Sequence, residues 1–257
     1  MVKQWARKGL SGIVLMTLLP MGGFAWTRDA GVVAESTNAY LALVLHKTDV
    51  FVNGTKLPVK IVKSADAWMY VLVNREHPLP SDFAVTEAAT NNGKTFDARA
   101  VGALNAMIQG AKADGVSLIV GSGYRSIERQ QYLFDRKIKQ YMAKGYDYQA
   151  AYDIAKTIVA IPGTSEHNTG LAADIVTPSY QTLDEGFEKT DAFAWLSAHC
   201  VEYGFILRFP KGKEAVTGII YEPWHYRYVG VEAAQEIMSQ GLTLEEYWAQ
   251  NEIVVKD

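Results

Sequence analysis

The sequence predicts an α+β fold, and three observations carry that prediction. Residues 49–73 alternate apolar and polar side chains around an Asn-Gly pair. Three segments, from Asp97 to Gly115, over 127–143 and from Asp147 to about 160, read as helices, with Asp97 and Ser126 as caps. The strands and helices that follow mix without a regular βαβ repeat, which argues against a doubly wound sheet.

The elements follow in order. Residues 27–46 carry few signals and read as a linker. Asp49-Val50-Phe51-Val52 runs into Asn53-Gly54, a hairpin turn pair, and then into Leu57–Val62. Trp68–Val73 reads as a further strand, and 77–95, with Pro78, Pro80 and Asn91-Asn92-Gly93, as a connecting loop. Asp97 is the expected N-cap of a helix whose Val101, Leu104, Ile108 and Ala111 share a face, closed by Gly115. Ser117–Val120 is a short buried strand. Ser126 caps a helix over 127–143, and another runs from Asp147 to about 160, where Pro162-Gly163 stops it. A strand over 171–176, a helix over 191–203 ended by Gly204, strands over 205–208 and 224–229, and two short helices complete the chain.

With 257 residues, 49% of them hydrophobic, the chain can bury the core of one domain with a small appendage. Its net charge of −3 comes without a concentrated Lys/Arg stripe, which excludes nucleic acid as a partner. At the N-terminus, Lys3, Arg7 and Lys8 precede the apolar run Ile13–Leu19, and Gly23-Phe24-Ala25 offers a small-x-small cleavage site. Residues 1–25 therefore read as a signal peptide and the protein as secreted or extracytoplasmic, with contact to a membrane only if this segment stays uncleaved. Cys200 is the single cysteine, so no internal disulfide forms, and its helical setting favours a buried inert thiol.

The chemistry concentrates in Ser165-Glu166-His167-Asn168-Thr169-Gly170-Leu171-Ala172-Ala173-Asp174 and in Glu222-Pro223-Trp224-His225. Two imidazoles and one carboxylate leave a zinc ion one open position, and a further acid nearby can act as base. His167 on a loop and Asp174 on the following strand can converge, with Gly170 and Ala172 leaving room. Each half also has a structural reading, as a surface histidine beside a turn-capping aspartate and as a hydrogen-bonded core histidine. Alternation puts His225, Arg227 and Val229 on one strand face, so Glu222 reaches the same ion only through a bend at Pro223. Ser122-Gly123-Tyr124-Arg125-Ser126 presents Arg125 at a strand-to-helix corner, where a guanidinium can stabilise an oxyanion. His46, His77 and His199 lack partners at convincing spacing and read as structural or exposed.

Together Ser122–Ser126, Ser165-x-His167-x-x-Gly170-x-Ala172-x-Asp174 and Glu222-Pro223-Trp224-His225-x-Arg227-Tyr228-Val229 resemble the VanY-type zinc D-alanyl-D-alanine carboxypeptidases, LAS peptidases related to VanX and the Hedgehog domain. Val73-Asn74 and Pro78-Leu79-Pro80 match the entry to that family's catalytic domain. The resemblance implies a small antiparallel sheet flanked by helices and a catalytic domain over 71–257; it does not cover the linker and small β-rich segment that the residue pattern places over 26–70. It implies zinc held by His167, Asp174 and His225, Glu222 as base, and Arg125 on the scissile carbonyl. Gln130 and Ser165 fall where the family contacts substrate. The implied activity is removal of the terminal D-Ala from peptidoglycan stem peptides. L,D-carboxypeptidase action on tetrapeptides and a non-catalytic cell-wall-binding module stand as alternatives.

Overall fold

The computed structural model describes residues 49–52 and 55–256, so the expected signal segment, residues 26–48 with His46, and the Asn53-Gly54 turn lie outside the described residues. The chain divides into two compact units, one over Met69–Tyr247 and one formed by the flanking N-terminal segment with residues 248–257.

In the flanking unit, β1 (Asp49–Val52) pairs antiparallel with β2 (Thr55–Lys63), the hairpin the alternation predicts. A 3-10 helix over Ser64–Tyr70 follows where Trp68–Val73 reads as a strand. Ala67 and Tyr70 are buried three residues apart, the period of a 3-10 turn. The carbonyls of Met69 and Val71, which a strand would offer to a neighbour, instead accept from Arg227.

The predicted loop over 77–95 contains a hairpin of β3 (Glu87–Ala89) and β4 (Thr95–Asp97). Its Glu-Ala-Ala strand has low β propensity, which hides it from sequence. Asp97 is not an N-cap. It ends β4, and its carboxylate accepts from the backbone and side chain of Arg99. Helix α1 (Val101–Ala113) starts four residues later and buries Leu104, Met107 and Ala111. Strand β5 (Ile119–Ser122) lies two residues beyond its predicted span. Helix α2 (Ile127–Met142) is capped by Ser126, whose hydroxyl accepts from the Arg129 amide. Helix α3 (Tyr148–Ala155), capped by Asp147, stops before the β-branched run Thr157-Ile158-Val159.

Strand β6 (Ala172–Val176) is fully buried. Helix α4 (Asp191–His199) tightens into a 3-10 turn over Cys200–Tyr203 and ends at Gly204, whose φ is +81°. Strand β7 (Phe205–Leu207), helix α5 (Glu214–Thr217), strand β8 (His225–Tyr228), helix α6 (Val231–Ser239) and helix α7 (Leu244–Gln250) follow. The last strand, β9 (Glu252–Lys256), pairs parallel with β2, a contact between distant segments that no local pattern announces.

The central sheet is antiparallel in the order β5-β6-β8-β7. Its register decides the site, because Asp174 lies directly opposite His225 on β8 and Ser122 on β5. Directly opposed residues share a face, with Cβ atoms about 5 Å apart. The α+β class and the small antiparallel sheet flanked by helices are as predicted.

Candidate metal centre

Three short hydrogen bonds stitch the two central motifs together. The Arg125 amide donates to the His167 carbonyl at 3.0 Å, the Asn168 side-chain amide to the Arg125 carbonyl at 2.7 Å, and His167 Nδ1 lies 2.7 Å from the Gly123 carbonyl. Gly123 is required there, since a Cβ would come within 2.1 Å of the Thr95 carbonyl oxygen. His167 sits in a 3-10 turn over Glu166–Thr169 that ends at Gly170 with φ +71°. A side chain at Gly170 would also meet Val85 and the Asp97 amide, so the expected close approach is real.

The bend at Pro223 is a tight turn in which the His225 amide donates to the Glu222 carbonyl at 3.1 Å. Proline at its second position fixes φ for such a turn. The turn brings Glu222 Oε2 to 3.5 Å from His225 Nδ1, so both acids and both histidines meet.

The structure brings His167, Asp174 and His225 together as a buried cluster, with one ligand atom of each within 4.8 Å of the others. His167 Nε2 lies 3.2 Å and His225 Nδ1 3.3 Å from Asp174 Oδ1. The Gly123 carbonyl requires the hydrogen of neutral His167 on Nδ1, which turns a bare Nε2 lone pair toward the carboxylate. Two facing acceptors call for a cation between them. His225 Nε2 points instead at Glu166 Oε2, 3.6 Å away, and neither atom has another partner among the described residues. A hydrogen on that nitrogen leaves Nδ1 free to ligate, the arrangement that carboxylates impose on metal-bound histidines. These donors, one oxygen and two imidazole nitrogens, fit zinc.

The charges follow from burial. Burial and Arg125 lower the pKa of His167 to about 4. Burial also disfavours charge on His225, but Asp174, Glu166 and Glu222 outweigh it and raise its pKa to about 9. Asp174 stays well below the usual carboxylate range because His167 and Arg125 overcome the cost of burying it. Burial dominates at Glu222 and pushes its carboxyl up to about 8.

Arg125 donates to Asp174 Oδ2 at 2.5 Å, so its guanidinium is anchored at the edge of the cluster, not stacked on a tyrosine. Gln130 is buried, donates from Nε2 to the Ala160 carbonyl at 2.7 Å and leaves Oε1 without a partner among the described residues. Ser165 is buried, and its hydroxyl makes no cap bond. Both line, with Arg125, Glu222 and the three cluster residues, a cavity of about 220 Å³. His77 is exposed against Asn74, while His199 has a partner that the sequence reading missed, Glu202 at 2.9 Å on the surface. Cys200 is buried and free, and burial raises its thiol pKa to about 12, as an inert thiol requires.

Sequence reasoning gave no role to Glu166. Its Oε1 accepts from Arg208 at 2.7 Å and from Arg227 at 2.8 Å, with both guanidinium groups fully buried. Arg208 also holds Glu245 through two bonds. The legible signal was Arg227 itself, since an arginine on the buried face of His225 demands a buried carboxylate.

Fold and site define a class: metallopeptidase-type α+β domains whose metal cluster lies on an antiparallel sheet. The chain belongs to the VanY family, whose model, described as D-alanyl-D-alanine carboxypeptidase, matches residues 93–231. A D-alanyl-D-alanine carboxypeptidase of Enterococcus faecalis is 45% identical over 182 residues, covering 70% of this chain and 65% of the relative. The chain thus spans just under two thirds of that relative's length. A VanY D,D-pentapeptidase mutant from a VanB-type resistance cassette, solved in complex with Zn(II), superposes with a TM-score of 0.64 at 44% identity, covering 70% of this chain and 98% of its own. VanYB in complex with D-alanine-D-alanine gives 0.66 at 44% identity, with 71% and 98% covered.

Proposed function

We propose that the protein is an extracytoplasmic, zinc-dependent D,D-carboxypeptidase that removes the terminal D-alanine of peptidoglycan stem peptides. The observation that carries this reading is the buried meeting of His167, Asp174 and His225 with Glu222 at 3.5 Å from His225. Membership of the VanY family supports the substrate class, and the predicted signal peptide supports the location.

His167 Nε2, Asp174 Oδ1 and His225 Nδ1 would hold the metal, and bound zinc supplies Lewis acidity that makes water a nucleophile near neutral pH. Glu222 takes the proton of the attacking water and returns it to the leaving amine. Its carboxyl, pushed up to about 8 by burial, comes down into the range of a working base beside a bound cation. Arg125 keeps N–H groups beyond the one on Asp174, and these meet the carbonyl oxygen as charge develops. Gln130, its Nε2 committed to Ala160, offers Oε1 to a substrate N–H, and the Ser165 hydroxyl contacts the same end of the peptide. A binding module has no use for a base beside the metal ligands, so Glu222 counts against the non-catalytic alternative.

The test incubates purified protein with pentapeptide and tetrapeptide muropeptides, with and without chelator, and follows released D-alanine. Release from the pentapeptide that stops with chelator and returns with zinc is expected. Release from the tetrapeptide alone would make the enzyme an L,D-carboxypeptidase. Chelator-insensitive release would reject the zinc mechanism, and no release at all would favour a binding module.

A further inference from the structure

We propose that Lys137 on α2 is the cation that receives the terminal carboxylate of the peptide and so makes the cavity an exopeptidase site. The proposal deepens the carboxypeptidase reading and rests on it. Among the other cations lining the cavity, Arg125, Lys156 and Arg208 are each paired with a carboxylate. Arg75 donates to the Gly218 carbonyl, and Arg136 is exposed over the Tyr132 ring. Lys137 differs from all of these. It lines the cavity half-buried, with no carboxylate within ion-pair distance among the described residues.

The charges around it sharpen the point. Burial, Arg136 and Lys144 all disfavour its ammonium, and the acid that offsets them is Glu222. A half-buried lysine set among like charges is unfavourable until an anion joins it.

Position then selects the anion. Glu222 must reach the leaving nitrogen to protonate it, and the terminal carboxylate carbon is two bonds from that nitrogen. The carboxylate therefore lands beside Glu222. Glu222, Arg125 and Lys137 line the same cavity, and Arg125 is already engaged, by Asp174 through one N–H and by the scissile carbonyl through the others. Lys137 is left to take the carboxylate. Gln130 lines the same cavity two turns earlier on α2, and helix side chains lean toward the N-terminus, so Lys137 reaches back toward Gln130 and the metal end.

The experiment compares zinc-loaded wild type with Lys137→Met, Lys137→Gln and Lys137→Arg. Substrates are an N-acetylated peptide ending in D-Ala-D-Ala and its C-terminal amide, and binding of D-Ala-D-Ala and its amide is measured by calorimetry. Wild type should prefer the free acid in both assays. Loss of one charge-assisted contact should lower kcat/KM for the acid by roughly 10- to 100-fold, mainly through KM. Cleavage of the amide should be unchanged, and Lys137→Arg should restore most of the preference. An acid preference equal to wild type in both Met and Gln variants, or none in wild type, overturns the proposal. If wild type binds the acid through Lys137 but cleaves nothing, the carboxypeptidase reading falls and the subsite stands.

Discussion

Replacing Glu166 with glutamine removes a charge that nothing nearby replaces. Arg208 would keep Glu245 at 2.6 and 2.8 Å. Arg227 has Glu166 as its only carboxylate within ion-pair distance among the described residues, and its other hydrogen bonds go to the carbonyls of Met69, Val71 and Tyr228. A fully buried guanidinium would lose its counter-ion, which costs about 3–5 kcal/mol. That is a large part of a total stability of about 5–15 kcal/mol. At roughly 2–4 °C per kcal/mol for a domain of this size, Tm should fall by about 6–20 °C. Thermal and urea unfolding of metal-free protein reads the loss. The same substitution removes the carboxylate that orients His225, so zinc affinity in a chelator competition should fall roughly 10- to 100-fold. Glu245→Gln should cost less stability and spare zinc affinity, because Glu166 remains on both arginines. A Glu166→Gln protein that unfolds within about 1 kcal/mol of wild type and binds zinc as tightly would refute the reasoning.

Three further outcomes follow from the same geometry. Glu222→Gln should lower kcat by roughly 10²–10⁴-fold with zinc content retained, whereas His225→Ala should lose both metal and activity, as metal analysis beside the D-alanine assay will show. The raised pKa of His225, about 9 without metal, means that a proton occupies the cluster below that pH, so zinc affinity should climb as pH rises toward 9 and binding should release a proton, measurable by calorimetry in buffers of different ionisation enthalpy. The arginines hold Glu166 far below its ordinary value of 4.5, so its stabilisation is complete above that pH and fades as pH falls, and Glu166→Gln should flatten the acid limb of an unfolding-versus-pH curve.

Much of this protein is written in local sequence. The Ser126 cap, the helix start at Asp147, the Gly204 stop and the alternation over β8 each depend on residues close in the chain, and each appears where predicted. The candidate ligands were legible for a similar reason, because histidines beside acids are rare here and Gly170 marks a tight approach. Local signals failed where a distant partner decides the outcome. Met69 and Val71 are not in a strand because Arg227 takes their carbonyls, and β9 exists because β2 lies beside it.

Sequence by itself thus determined the fold class, the candidate ligands and the need for a bend at Pro223. Tertiary structure alone decided that Asp174 faces His225 across the sheet, that Glu166 anchors two buried arginines, and that Lys137 stands without a carboxylate in the cavity. The physical reason is that register and charge pairing join residues tens of positions apart, and neither leaves a periodic trace in the chain.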